Sequence, residues 1–423
     1  MRQPSRLRNR RPALAALLAL AAAAVLLGAR PAPAPGPDLA AEAANKPVEP
    51  PPETHAITEP ERAAPDGLLA AYEEVGLFAL LRAWPEMVEA PGVGVLGGPR
   101  AGLSPREWIG FYEGRQAFLR VYTVQEGLGP FYNDSGCGQC HQLPVIGGSG
   151  TPENVITIHA PAWTGGDAMG LRKHAAPGFE PERAAGPTAH LRTPPLFGLG
   201  LLDAVPESVR EALEDPDDKD GNGIRGRRSA RRDRTELRPA RFGHKANEWD
   251  LEHFCAGAMV DEMSLTNTVR RDPHADRDKL ADPEVPRAEV LKIVAFVRNL
   301  AAPAPLPRDA LATRGAALFD QIGCTGCHKA KLGEVEGAYT DTLLHDLGPG
   351  LAGLKDGAAG PRDWRTAPLW GLRHRARLLH DERAGSIEEA VRAHGGEAKG
   401  RSDAFFALPE ADRRAIVGFL KTL

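Results

Sequence analysis

The sequence is short of aromatic side chains, at 6%, and holds only five cysteines, five methionines and five tyrosines among its 423 residues. No methionine follows Met263 and no tyrosine follows Tyr339. Basic residues are not in excess, because the formal net charge is −4 at pH 7. That balance excludes nucleic acid as a partner, which would need a basic stripe. Strand-like alternation is sparse, and one long apolar run occurs, Ala13 to Leu27. The remaining composition, 42% hydrophobic and 26% charged, is that of a globular protein with a sizeable core. The length suits two or three domains. With 46 Gly and 38 Pro, the expected fold is mainly α with long loops.

The apolar run follows Arg2, Arg6, Arg8, Arg10 and Arg11, and small residues continue from Ala29. Residues 1–29 therefore read as a secretory signal peptide, with a single membrane anchor as the alternative. Either reading places the protein in the periplasm, tethered there if the segment stays uncut. Removing those five arginines takes the net charge from −4 to −9, an acidic surface that steers basic partners. Residues 30–65 are rich in Pro, Ala and Glu without periodicity and read as a disordered linker. Folded sequence begins near Asp66.

Five cysteines in an exported chain first suggest disulfides. Four of them instead occur in two copies of one pattern, Cys137-Gly-Gln-Cys140-His141 and Cys324-Thr-Gly-Cys327-His328. This spacing is that of c-type haem attachment. The two thiols form thioethers with the haem vinyls, and the adjacent histidine reaches the iron. A zinc ribbon does not need His directly after each pair. A redox dithiol would sit in a βαβ pattern, which is missing. Two covalently bound haem c groups are therefore expected. Cys255, in an apolar stretch with Phe254 and Met259, reads as a buried structural thiol.

Helical patterning precedes each motif, at Pro105 to Arg120 and at Pro307 to Phe319, and Glu289 to Leu300 is amphipathic. Ala301 to Pro307 reads as a linker. There is also an internal repeat. Arg192-Thr-Pro-Pro-Leu-Phe-Gly-Leu199 begins 55 residues after Cys137, and Arg365-Thr-Ala-Pro-Leu-Trp-Gly-Leu372 begins 41 after Cys324. Two homologous units follow, each with one cofactor motif and one later helix.

The repeat, Gly129-Pro-Phe-Tyr-Asn133 before the first motif, and Leu378-Leu-His-Asp381 followed by Ser386-Ile-Glu-Glu-Ala-Val391 resemble the bacterial dihaem cytochrome c peroxidase superfamily. The resemblance is nearer still to its dihaem oxidoreductase branch, which also carries the label thiol oxidoreductase. It runs from about Ser104 to the C-terminus. It implies two cytochrome-c-like domains, at 66–300 with the peroxidatic-site segment and at 301–423. One haem would be a high-spin peroxide site and the other would store or relay an electron.

The sixth ligand decides whether an iron is open for chemistry. At the second haem the family's downstream Met and Tyr ligands are both missing. The resemblance places the distal ligand at His394, which implies a His328/His394 pair. His380 falls in the family's inter-haem region and reads as a structural histidine. At the first haem, bound by His141, the resemblance places Glu262 over the open face. One carboxylate there can take a proton from peroxide and return it. Met259 or Met263 could instead ligate the iron and make a plain electron carrier. Relatives usually carry Trp in the segment Arg241-Phe-Gly-His244-Lys245. His244 in its place puts a Trp-mediated electron path in doubt, with Trp249 as a substitute or His244 itself as an iron ligand.

Asp218-Lys-Asp220-Gly-Asn222-Gly223 matches the start of an oxygen-ligand calcium loop, although Ser229 stands where the twelfth-position Glu belongs. Ca2+ and a plain acidic turn are both open readings. Six arginines between Arg225 and Arg234 could dock an acidic partner or balance haem propionates, with a solvated loop as the default. The expected function is that of a periplasmic dihaem oxidoreductase reducing hydrogen peroxide, or another small oxidant, with electrons from a small cytochrome c or cupredoxin. The alternatives are a non-catalytic dihaem electron carrier and peroxide-driven oxidation of a partner protein.

Overall fold

The structure is a computed structural model that describes residues 68–423, apart from 234–235, 271–277 and 279. The expected signal or anchor, the linker before residue 66 and Arg234 lie outside the described residues. No helix among the described residues is long and apolar enough to cross a membrane. The fold is mainly α, with twelve helices among the described residues and short antiparallel strands between them.

The N-terminal helices α1 (Leu68–Val75) and α2 (Leu77–Glu89) pack on α3 (Pro105–Leu119). Ser104 caps α3: its hydroxyl accepts from the Glu107 N–H, and Glu107 reaches back to the Ser104 N–H at 2.8 Å. This reciprocal capping box, with Pro105 in the first turn, fixes where the helix starts. Next come α4 (Cys137–Cys140), α5 (Leu199–Asp203), α6 (Glu207–Glu211), α7 (Leu251–Met263) and α8 (Arg287–Asn299). Helix α8 buries Val290, Ile293, Val294, Phe296 and Val297, the apolar face expected from its periodicity. It crosses α3 at Gly114, where a Cβ would meet the Lys292 carbonyl at 2.2 Å. Phe111 and Phe118 close over Phe296 at ring separations of 5.1 and 4.8 Å. Each buried phenyl stabilises the fold by roughly 1.5–3 kcal/mol.

The same design recurs toward the C-terminus. Helix α9 (Ala310–Gln321) is followed by α10 (Ile387–Ala393), α11 (Lys399–Ala407) and α12 (Glu410–Leu420). Helices α9 and α12 meet at Gly315, where a Cβ would lie 1.9 Å from the Ala415 carbonyl. Phe319 stands against Phe419 at 5.5 Å. Gly198 and Gly371, at the same place in the two repeat copies, both turn with positive φ (+72° and +69°). A Cβ on Gly198 would strike the ring of Trp370 from the other copy at 2.6 Å.

Two strand features position the site. A three-stranded antiparallel sheet has Ile156–His159 between Met169–Leu171 and Thr188–Leu191. It covers the end of α7, where Arg172 Nε donates to the Asp261 carbonyl at 3.2 Å. A hairpin, Ser229–Asp233 with Glu236–Ala240, takes up part of the arginine run. The described part of that run is not a free loop. Arg228 binds Glu207 and Glu214, Arg227 binds Asp363, and Arg231 binds Glu248. Their partners lie on distant segments, which the local sequence did not reveal.

Candidate functional site

Helix α9 ends at Gln321, and Gly323 (φ +81°) turns the chain into Cys324-Thr-Gly-Cys327-His328. Phe319, one turn before the helix end, lies 6.2 Å from the His328 ring. His328 Nδ1 donates to the Tyr339 carbonyl at 3.1 Å. His394, just beyond α10, donates from Nδ1 to the Ala390 carbonyl at 2.6 Å. In both rings a proton on Nδ1 leaves Nε2 with the lone pair that could ligate a metal. Both histidines line one largely apolar cavity of about 270 Å³, with Cys324 and Cys327 in its wall. Burial, followed by the proximity of His394, pushes His328 down to about 4. Burial also lowers His394. Neutral imidazoles are the form that binds iron.

The cavity wall contains four arginines: Arg192 and Arg365, which the sequence analysis quoted at the head of the two repeat copies but did not place, and Arg375 and Arg401, which it did not name. Burial pushes Arg365 down to about 10 and Arg375 to about 9, and it lowers Arg192 too. The nearest carboxylate to Arg192 is Glu382, at 4.0 Å. The Nε atoms of Arg192 and Arg375 are buried with no hydrogen-bond partner among the described residues. Uncompensated buried charge is costly. An apolar slot with two imidazoles, two thiols and surplus guanidinium charge fits a haem, whose propionates would supply the missing anions. The recurrence of Arg at the head of both copies was the available signal.

Around the first motif, Phe118 lies 6.0 Å from the His141 ring, the counterpart of Phe319 and His328. His141 Nδ1 donates to the Gly148 carbonyl at 3.0 Å, and burial pushes the ring down to about 4. Glu262 is brought to this motif by the last turn of α7. The Asn133 amide donates to its carboxylate at 2.5 Å, and the Asn133 N–H donates to its carbonyl at 2.7 Å. Asn133 stands four residues before Cys137, and Glu262 is close enough to act electrostatically on Cys140. Burial pushes Glu262 up to about 7, against the Asn133 hydrogen bond and the charges of Arg172 and Lys173, with Asp261 adding to the rise. A carboxyl poised there can both accept and release a proton near neutral pH.

The competing ligands at this end have other roles. Met259 and Met263 are packed into the main core, at 1% and 4% exposure. His253 bonds Asp250 at 2.8 Å and stacks on Trp249. Cys255 is buried in the same core, and its thiol is pushed up by burial. Cys137, Cys140 and Cys324 are each pushed up to about 12, chiefly by burial. A reactive dithiol needs the opposite shift.

His244 lines the second cavity, but its Nε2 donates to the Arg192 carbonyl at 2.9 Å, so it is committed to the backbone. Trp249 does not line that cavity, whereas Trp364 does. Trp364 is stacked on His380 at 3.6 Å, with the Lys245 ammonium over its ring at 3.6 Å. Lys245 also donates to three carbonyls, those of Gly360, Pro361 and Asp363.

In the acidic loop, carboxylate oxygens of Asp215, Asp218 and Asp220 lie within 4.8 Å of one another. Asn222 is turned inward: its Oδ1 accepts from the Ile224 N–H and its amide donates to Asp220. Asp215 thus joins Asp218 and Asp220 in the cluster.

The family described as "Di-haem oxidoreductase, putative peroxidase" matches residues 189–423, more than half of the chain. The chain belongs to this family. It is an oxidoreductase of the haem peroxidase type, and two haems are the cofactors that membership implies. The matched stretch contains the second haem motif, Glu262 and both repeat copies, and the first motif lies before it. None of the curated proteins matches the chain. Among solved structures, it is similar to the diheme peroxidase BthA from Burkholderia thailandensis E264, with TM-score 0.40 and 16% identity over 79% of this chain and 90% of that one. It is also similar to hydrazine synthase of Kuenenia stuttgartiensis, with TM-score 0.34 and 15% identity over 56% of this chain and 73% of that one.

Proposed function

We propose that the protein is a periplasmic dihaem c-type oxidoreductase that reduces hydrogen peroxide with electrons from a small cytochrome c or cupredoxin. Cys137, Cys140 and His141 would hold the first haem, and Cys324, Cys327, His328 and His394 the second. When bound, the haems would supply redox-active iron, held by His141 at the first site and by His328 and His394 at the second. The observation that carries this reading is the asymmetry of the two sites. A second imidazole shares the cavity at one motif, and a half-buried carboxyl pushed up to about 7 stands beside the other.

Glu262 is the catalytic group. Its ionised carboxylate takes a proton from the incoming peroxide and, once protonated, returns it to the leaving oxygen. Asn133 orients that carboxyl through one side-chain hydrogen bond and ties the backbone carbonyl of Glu262 through its own N–H. Arg192, Arg365 and Arg375 hold propionate charge at the second cavity. The Asp215, Asp218 and Asp220 cluster would hold a calcium ion through its carboxylate oxygens.

Low-temperature EPR on the fully ferric holoprotein tests the asymmetry. The expected result is one axial high-spin signal beside one low-spin bis-imidazole signal. The exchange Glu262→Gln should lower peroxide turnover by about 100-fold or more while leaving the low-spin signal unchanged. Two low-spin signals that persist on partial reduction, or full turnover in Glu262→Gln, would overturn the reading in favour of an electron carrier.

A further inference from the structure

His345 is 3% exposed and makes no contact with solvent chemistry, yet it bonds two carboxylates at once. Its Nε2 lies 2.9 Å from Asp341 Oδ2, and its Nδ1 lies 2.8 Å from Glu397 Oε2. Carboxylates only accept, so both ring nitrogens donate and the ring is an imidazolium. A group this costly to bury needs a reason. Its neighbours supply one, because each belongs to a segment that frames the second cavity. Cys327 Sγ lies 3.6 Å from the ring. Asp341 also accepts from the Leu343 N–H at 2.9 Å. Glu397 is three residues past His394, and it accepts from the N–H groups of Asp346 and Arg225 at 2.9 and 2.7 Å. One carboxylate therefore fastens the His394-Gly-Gly-Glu397 turn to two other strands of chain. The turn has no slack: a Cβ on Gly396 (φ +52°) would meet the Asp346 carbonyl at 2.1 Å.

We propose that Asp341, His345 and Glu397 are positioning residues that clamp the turn carrying His394, and thereby hold that imidazole at the iron of the second haem. This rests on the assignment of His394 as the sixth ligand. The three side chains do not touch the iron. They act by removing the freedom of the turn that bears the ligand, so ligation costs little further ordering. Cys327, Asp341 and His345 also have the composition of a metal-binding cluster. With Cys327 consumed as a haem thioether, its sulfur has lost the anionic character that such a site needs, and a charged clamp is what remains.

The test uses the holoprotein with both haems attached. Glu397→Ala and His345→Ala should lose most of the low-spin signal of the second haem, and added imidazole should restore it. Glu397→Gln, whose amide oxygen can still accept from Asp346 and Arg225, should keep a larger share of that signal than Glu397→Ala. If the alanine variants do not fold, Asp341→Asn, which keeps shape and removes charge, should still raise the midpoint potential of the second haem. A merely structural role would lower the melting temperature and leave signal and potential where they were, which would overturn the clamp. His394→Ala separates the two failures. If its low-spin signal matches that of the parent, the ligand assignment itself falls. If its signal is lost while the clamp variants keep theirs, the clamp alone falls. One equivalent of zinc per chain, held at Cys327 with only one haem attached, would also overturn the proposal.

Discussion

The helical frames around His141 and His328 are built alike. In each, a helix ends in a Gly and a Phe four residues apart, Gly114 and Phe118 or Gly315 and Phe319. The glycine lets a later helix approach to backbone contact, and the phenylalanine faces the histidine of the haem motif at about 6 Å. The frames differ in what the rest of the chain brings to them. Glu262 and Asn133 arrive at one, while His394 and several arginines arrive at the other. The comparison teaches that attachment and reactivity are carried by separate parts. A duplicated helical frame can hold two equivalent cofactors, and the connecting segments decide which one is open.

Removing the thiols of one motif is expected to have the largest effect. Cys324→Ser with Cys327→Ser should halve the covalently bound haem per chain and remove the low-spin signal. The same pair at Cys137 and Cys140 should halve the haem and remove the high-spin signal, both read by haem assay and EPR. Equal loss of both signals in either double variant would break the assignment of one signal to each motif.

The next largest effect concerns the shared frame. Gly114→Ala and Gly315→Ala would each force backbone apart at a helix crossing and should each cost about 3 kcal/mol. Melting temperatures of the two variants should fall together. A tolerated alanine at either site would show that the two crossings are not equivalent.

The smallest expected effect is a displaced pH profile. Glu262 lies above its ordinary value because of burial, at about 7. Below that pH the carboxyl is protonated and cannot accept a proton, so peroxide turnover should rise with pH through about 7. Asn133→Leu removes the N–H that favours the charged form and should move the rising limb to higher pH. Arg172 and Lys173 still favour that form and Asp261 still opposes it. The same shift has a stability consequence. The folded state holds the proton more tightly, so Glu262 favours folding below about 4.5, and this contribution is lost as pH rises through about 7. Melts of Glu262→Gln should lack that pH dependence.

Much of the frame was legible because it is written locally. The haem motifs are five-residue patterns, and the apolar face of α8 repeats with the helical period. The arginine run was misread as a solvated loop because Glu207, Glu214, Asp363 and Glu248 reach it from elsewhere. Trp249 was the nearer tryptophan to His244 in sequence, but Trp364, stacked on His380, lies at the cavity and Trp249 does not.

The sequence by itself determined the cofactor chemistry, the duplication and the helices that frame each motif. Each of these depends on residues a few positions apart, where covalent spacing and helix period dictate the geometry. Only the tertiary structure decided which side chains gather beside each motif. Asn133 and Glu262 are 129 residues apart, and His345 and Glu397 are 52 apart. Contacts at such separations follow from the packing of whole helices against one another, and no local pattern encodes that packing.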